Sequence, residues 1–306
     1  MSAALVIEQI LNGFQLGVML FLMAAGLTLA FGVMGLINLA HGSLYMTGAF
    51  VCAWVANATG SFWTGLALGL LAAAAAGAII EILVMRRLYD RDHLDQVLAT
   101  FSLILIFAEG AHWLFGSRPL YLTIPPLLDG AIALPGGGGY PVYRLAVIGV
   151  GLVVAVGLYL LISRTRLGMR IRAGESDREM IGALGVNIRT LYTFVFALGA
   201  MLAGLAGALV GASQSVQVGM GEPVLILAFV VIVIGGIGSI KGALVASLLV
   251  GLVDTLGRAF APSLLSLALP AQAAASVGAS VASILIYLLM AVVLAFRPKG
   301  LFPGHG

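Results

Sequence analysis

The chain has 306 residues, 61% of them hydrophobic and 9% charged, with a net charge of +3 and a mean hydropathy of +1.14. A soluble domain carries roughly 25% charged residues, so this composition excludes one. The single cysteine, Cys52, excludes an internal disulfide and a cysteine-based metal cluster.

Residues 9–80 form a run with no Asp, Glu, Lys or Arg. A membrane helix needs about 20 apolar residues, so this run has room for about three. The first basic residue is Arg86, so the first segment lacks the basic n-region of a signal peptide and is expected to stay in the protein. Within the run, Asn57-Ala58-Thr59-Gly60-Ser61 reads as a turn, flanked by Trp54 and Trp63 as interfacial tryptophans would be. Further charge-poor segments cover roughly residues 96–117, 145–163, 190–212, 223–240, 242–257 and 276–296. These runs are continuous and rich in Ala, Leu and Gly, unlike the alternating strands of a membrane barrel. The expected fold is therefore all-α, a polytopic bundle of about 8–9 transmembrane helices forming a single domain over residues 1–306. Three full spans before Arg86 give nine; a helix broken within residues 30–45 gives eight, and both readings stand.

Of the 15 Lys and Arg, 12 fall in four places: Arg86, Arg87 and Arg91; Arg164 through Arg189; Lys241; and Arg297 with Lys299. The intervening loops hold Arg118, Arg144 and Arg258. The positive-inside rule places the first four groups, and the C-terminus, in the cytoplasm. Gly199, Ala203, Gly207 and Gly211 recur every four residues, as do Gly13 with Gly17 and Gly65 with Gly69; the simplest reading is close helix packing.

Three segments depart from a plain membrane helix. The first, residues 32–48, places Asn38, His41, Gly42, Ser43 and Tyr45 among glycines in an apolar region. Polar groups at that depth are expensive and face a cavity or another helix. A discontinuous helix beside a translocation path and a turn capped by Asn38 and Ser43 both fit. The second, residues 234–242, breaks an apolar run at Gly235, Gly236 and Gly238 and ends at Lys241-Gly242. Leu29-Ala30-Phe31 and Leu227-Ala228-Phe229 precede the two breaks, a weak sign of internal repetition. The third, residues 164–189, contains Ser176-Asp177-Arg178-Glu179, a capping-box pattern starting a helix of about two turns that stops near Gly185. So short a helix needs support from the bundle or a partner; a docking helix and a solvated connector both remain open.

Catalysis has no signature. Both lysines are followed by glycine, so there is no phosphate-binding GxxxxGK[ST] loop. His41, His93, His112 and His305 show no metal spacing, and no cofactor or metal is expected. Intramembrane carboxylates, the mark of ion-coupled carriers, are limited to Glu109 (with His112 on its face), Asp254 and Glu222.

Four blocks together resemble the LivH-like permease subunits of branched-chain amino-acid ABC importers. They are Gly26-Leu27-Thr28-Leu29-Ala30-Phe31-Gly32-Val33 with Ile37-Asn38-Leu39-Ala40-His41-Gly42-Ser43-Leu44-Tyr45-Met46; Thr165-Arg166-Leu167-Gly168-Met169-Arg170-Ile171-Arg172-Ala173; Asp177-Arg178-Glu179-Met180 with Leu184-Gly185-Val186-Asn187; and Gly235-Gly236-Ile237-Gly238-Ser239-Ile240-Lys241-Gly242-Ala243. The resemblance implies a type II-like importer permease in the bacterial cytoplasmic (inner) membrane. It also implies a second homologous permease, two cytoplasmic ATP-binding subunits and a periplasmic substrate-binding protein as partners. Carried over, Gly174, Glu175, Ser176, Asp177, Arg178, Glu179, Met180, Leu184, Gly185 and Val186 form the helix that couples to the ATPases. Asn38, His41, Gly42, Ser43, Tyr45, Gly235 and Gly236 border the substrate path. The run Leu134-Pro135-Gly136-Gly137-Gly138-Gly139-Tyr140-Pro141 matches no part of the family pattern and is expected in an outer loop. The alternative to the importer is a self-sufficient ion-coupled carrier or channel.

Overall fold

The computed structural model describes residues 3–36, 38–89, 91–135, 138–267 and 269–302. Of the residues singled out above, Ile37, Gly136, Gly137 and His305 lie outside the described residues, and so does the Arg178 side chain.

In chain order the helices are α1 (Ala3–Met34), α2 (His41–Thr59), α3 (Phe62–Leu83), α4 (His93–Phe115), α5 (Val142–Arg164), α6 (Arg166–Ser176), α7 (Arg178–Ala183), α8 (Ile188–Gly211), α9 (Gly221–Gly235), α10 (Ile240–Leu265) and α11 (Ala271–Phe296). A small antiparallel hairpin between α4 and α5 pairs β1 (Ala131–Ala133) with β2 (Gly139–Pro141), with Ile132 opposite Tyr140. Among the described residues, seven helices are long and apolar enough to cross a membrane: α1, α3, α4, α5, α8, α10 and α11. Two more run at membrane depth: α2, which is more polar, and α9, which has 15 residues.

The bundle is layered. α1, α2 and α8 are largely buried, whereas α4, α5 and α11 present Leu, Ile, Val and Phe outward, as lipid-facing helices do. The regularly spaced glycines account for the close centre. Gly13 and Gly17 of α1 lie on the backbone of α10 at Gly251 and Leu248; Gly65 and Gly69 of α3 lie on α2 at Cys52 and Gly48; Gly207 of α8 lies on the carbonyl of Tyr45. A β-carbon at these positions meets backbone, so small residues set the interhelical distance.

The four basic groups converge on one end of the bundle. Arg86 of the α3–α4 connection bonds Thr193 of α8, Lys241 lies 5.5 Å from the Tyr159 ring of α5, and the chain after α11 bonds the end of α9. At the opposite end Arg144 and Tyr140 hold Asn12 near the start of α1, Asn57 reaches Tyr121, and Leu120 pairs with Val216. α1 therefore starts at the opposite end and finishes at the basic end. The turn expected at residues 57–61 is shorter: α2 continues through Thr59, Gly60 turns the chain with a φ of 70° and Ser61 caps α3.

One helix was not legible in the sequence. Residues 166–176 look like a basic connector, yet they form α6, capped by the Thr165 hydroxyl accepting from the Gly168 N–H at 3.0 Å. Gly168, Ile171 and Gly174 give it a narrow buried face against the bundle.

Candidate translocation and coupling site

Two helices begin inside the bundle rather than at its ends. α1 ends at Met34, and Gly35 turns the chain with a φ of 67°, a conformation glycine adopts without steric penalty. The chain then climbs back alongside α1: the His41 Nε2 lies 3.0 Å from where a β-carbon on Gly26 would sit. Gly26 is eight residues before the end of α1, or about 12 Å at 1.5 Å per residue. α2 thus starts well inside the bundle and runs to the opposite end. α9 starts beside it and runs the other way, toward the basic end; a β-carbon on Gly42 would sit 3.0 Å from the Gly221 carbonyl oxygen. Helix breaks at such depth occur only where protein or water surrounds the exposed backbone.

The polar residues of this junction are enclosed. Asn38 is fully buried and His41 and Ser43 are nearly so, as is Tyr45. Asn38 Oδ1 accepts from the Ala40 N–H at 3.0 Å, and neither Asn38 nor Ser43 caps α2 through its side chain, so the simple capped turn does not describe it. Among the described residues, Asn38 Nδ2, His41 Nε2, Ser43 Oγ and Thr28 Oγ1 have no hydrogen-bond partner. Leaving such groups unsatisfied costs about 1–3 kcal/mol each.

Gly235 and Gly236 sit elsewhere, at the basic end. Gly235 lies against Gly242, forming the tight α9–α10 corner, and Gly236, with a φ of 100°, lies against the carbonyls of Lys299 and Phe302. The Leu301 and Phe302 N–H groups donate to Ile234 and Gly235 at 2.8 and 3.0 Å, so the chain after α11 braces this corner. The proposed path residues thus form two clusters, one at mid-depth and one at the basic end.

The residues expected to couple span the last turn of α6, α7 and the turn after it. Asp177 caps α7, its carboxylate accepting from the Met180 N–H at 2.9 Å; Ser176 is the last residue of α6. The cap is one residue later than the capping-box pattern placed it, because α6 extends through Ser176. Gly185, with a φ of 85°, ends α7. Its N–H donates to Gly182 and the Val186 N–H to Ile181, the paired bonds that close a helix on a glycine. Ile181 is buried, while Met180 and Leu184 are exposed, leaving an apolar surface on a segment where Ser176, Asp177 and Glu179 are also exposed.

Glu175 links this segment to both helix breaks. Its Oε1 lies 2.7 Å from where a β-carbon on Gly238 would sit, and 3.4 Å from one on Gly32. The carboxylate fills the notch between the end of α1 and the start of α10, where the absence of two side chains admits it. It stands one residue ahead of Ser239, the cap of α10, where the positive end of the helix dipole attracts a carboxylate. A small cleft of ≈ 30 Å³ here is lined by Thr28, Gly32, Glu175 and Gly238, room for about one water.

Glu81 lies outside every segment singled out from the sequence. This residue is fully buried near the basic end of α3. Its carboxylate accepts from Arg86 Nε at 3.1 Å, Thr193 Oγ1 at 2.6 Å and the Tyr89 hydroxyl at 3.0 Å. Burial, with Glu81 beside it, pushes the Tyr89 phenol above its ordinary value. The available signal was Glu81 ending a long uncharged run five residues before Arg86. The carboxylates that did stand out are ordinary: Asp254 pairs with Arg258 at 2.8 Å, and Glu109 is exposed with His112.

The model of a family described as "Branched-chain amino acid transport system / permease component" matches residues 9–294. The chain belongs to this family. The permease is 30% identical over 310 residues to the high-affinity branched-chain amino acid transport system permease protein BraD of Pseudomonas aeruginosa, covering 96% of this chain and 95% of that one. It is 29% identical over 270 residues to LivH of Escherichia coli K12 (83% and 86% covered) and 26% identical over 307 residues to LivM of the same organism (92% and 67%), both named as permease proteins of a high-affinity branched-chain amino acid transport system. No solved structure gives a significant match to the permease.

Proposed function

We propose that this permease is one membrane half of an ATP-driven importer for branched-chain amino acids, working in a bacterial cytoplasmic membrane with its basic end and C-terminus in the cytoplasm. The gathering of 12 of 15 basic residues at one end supports that sidedness. A second, homologous permease completes the pore. The resemblance to both LivH and LivM, which carry one system name in one organism, supports an unlike pair. Two ATP-binding subunits hydrolyse ATP, and a binding protein delivers substrate at the opposite end.

One observation carries the mechanism: Glu175, at the start of the coupling segment, stands between the ends of α1 and α10. When the ATPases close, they push residues 174–186 through the exposed Met180 and Leu184. Residues 164–189 as a whole form the cytoplasmic coupling segment. α6 carries the displacement to the notch, and the glycine breaks at Gly35 and Gly236 let α1 and α9 respond. Because α2 and α9 meet at Gly42 and Gly221, a shift at the basic end reaches the mid-depth cluster of Asn38, His41 and Ser43. Small shifts between bistable packed helices open one side and close the other. The uncharged character of residues 9–80 suits a passenger that crosses without net charge, as a zwitterionic amino acid does.

Assembly with the ATP-binding subunits, together with leucine uptake, tests the coupling assignment. Replacing Glu179 and Gly185 is expected to abolish uptake and weaken ATPase association. If both survive, residues 174–186 are not the coupling element.

A further inference from the structure

A cavity of ≈ 420 Å³ opens at the basic end, between the α3–α4 connection and the first turn of α8. Its walls include Arg86, Arg87 and Arg189, the rings of Tyr89 and Tyr192, and Ile82. Arg189 is the last residue of the 164–189 segment; the other residues named here take no part in the coupling or path described above.

Its charge is unbalanced. Arg86 is committed to Glu81 through Nε and to Thr193 through Nη2. Among the described residues, no Asp or Glu lines the cavity beside Arg87 and Arg189, and the Arg86–Glu81 and Arg258–Asp254 ion pairs include neither arginine. Arg189 is in the first turn of α8, whose dipole adds positive potential on the same side. The anchors are held rigidly. Tyr89 and Tyr192 stack edge to face at 5.3 Å, and Tyr89 is pinned by Glu81. The site therefore calls for an anion of one or two charges with oxygen acceptors, which guanidinium groups bind with two parallel bonds.

The mouth decides where that anion comes from. Ile82 is 45% exposed, and on the same face of α3 Ile79 and Leu83 are each 55% exposed. This aliphatic stripe leads from the cavity along the outer surface of a membrane-crossing helix. A soluble phosphate gains nothing from it; a molecule with a phosphate at one end and acyl chains at the other fills both parts. Basic pockets between membrane helices on the cytoplasmic side suit anionic lipid headgroups, and a volume of ≈ 420 Å³ falls within the usual range for a ligand pocket.

We propose that this cavity binds the phosphate of an anionic phospholipid from the leaflet at the basic end, with Arg87 and Arg189 clamping the phosphate and the Ile79, Ile82 and Leu83 face carrying an acyl chain. The lipid would wedge the α3–α4 connection against the start of α8, the helix that directly follows the coupling segment.

The test uses the full-length permease in neutral detergent, titrated with phosphatidylglycerol, phosphatidylcholine or inorganic phosphate, read by native mass spectrometry and thermal unfolding. Phosphatidylglycerol is expected to remain bound and raise Tm, and phosphatidylcholine is not. An R87Q/R189Q variant, which leaves the Glu81–Arg86 pair intact, is expected to bind phosphatidylglycerol about 30-fold more weakly, about a factor of five per arginine. An R164Q/R166Q variant removes two charges at the same end outside the cavity and should bind as the parent does. Equal weakening in both variants would mean diffuse surface charge and would overturn the proposal. An equal Tm rise from inorganic phosphate would overturn the lipid assignment in favour of a soluble phosphate. Unchanged lipid binding in R87Q/R189Q, with loss of ATP-binding subunits instead, would make the cavity a protein contact.

Discussion

Substituting Gly238 by alanine probes the notch directly. Gly238 has a φ of 81°, and a β-carbon there lies 2.7 Å from Glu175 Oε1, whereas ordinary carbon–oxygen contacts begin near 3.4 Å. Two penalties add. The left-handed backbone costs a non-glycine residue about 1–2 kcal/mol. The overlap of about 0.7 Å is relieved by swinging the carboxylate out, which is inexpensive in itself but removes Glu175 from its position beside the α10 start, an interaction of roughly 0.5–1 kcal/mol. Together these come to about 2 kcal/mol, or several degrees in Tm. Gly32 is the internal control: it is helical, and its β-carbon would meet the same oxygen at an ordinary 3.4 Å, so Gly32→Ala should stay within about 0.5 kcal/mol. The assay is thermal unfolding of the permease, with substrate-stimulated ATP hydrolysis of the assembled importer. Gly238→Ala is expected to lower Tm and uncouple hydrolysis from substrate. Adding Glu175→Ala should lower Tm little further, because Gly238→Ala has already displaced the carboxylate, and should not restore coupling. If Gly238→Ala couples normally, or if Gly32→Ala is equally harmful, the notch is not the link between coupling segment and helix breaks.

Other outcomes follow from particular contacts. Glu81→Ala leaves Arg86, Thr193 and Tyr89 without their shared acceptor; breaking a buried pair this way costs about 3–5 kcal/mol, and the partial exposure of Arg86 favours the lower end. A Tm within a degree of the parent would show that the cluster is not holding α3 to α8. Gly48→Ala forces its β-carbon onto Gly204 and should cost about 1–3 kcal/mol by overpacking. Gly110→Ala, where nothing lies within 4 Å, should be neutral or slightly stabilising, and equal losses at both positions would contradict the packing account. Asp254→Asn breaks an ion pair whose Arg258 partner is half exposed, so stability should change by less than about 1 kcal/mol and the pH dependence of uptake should not change. An uptake profile that lost its pH dependence in this variant would revive an ion-coupled mechanism.

Composition made the membrane class legible, and charge placement made the sidedness of the loops legible, because both are one-dimensional properties of the chain. The turn at Gly60 and the stop at Gly185 were equally readable, since glycine is what a positive φ requires. The interior start of α2 was only half readable. Asn38 through Ser43 announced a polar break, but its depth depends on how Gly26 and Gly199 pack, which no local pattern encodes. The pairing of α2 with α9 through Gly42 and Gly221 spans some 180 residues and had no local trace. α6 escaped notice because six arginines between 164 and 189 mask its short buried face of Gly168, Ile171 and Gly174. Glu81 escaped because its partner Thr193 is 112 residues away. The notch shows the same limit: Gly32, Glu175 and Gly238 each looked like part of a separate segment, and only folding brings them together.

Reconstitution in liposomes separates one half of an ATP-driven importer from a self-sufficient carrier. The purified permease is incorporated alone, or with its second permease, ATP-binding subunits and a leucine-loaded binding protein, and leucine uptake is measured with ATP or with an imposed proton or sodium gradient. Uptake is expected only in the complete assembly and only with ATP. Leucine accumulation by the single chain under an ion gradient would contradict it.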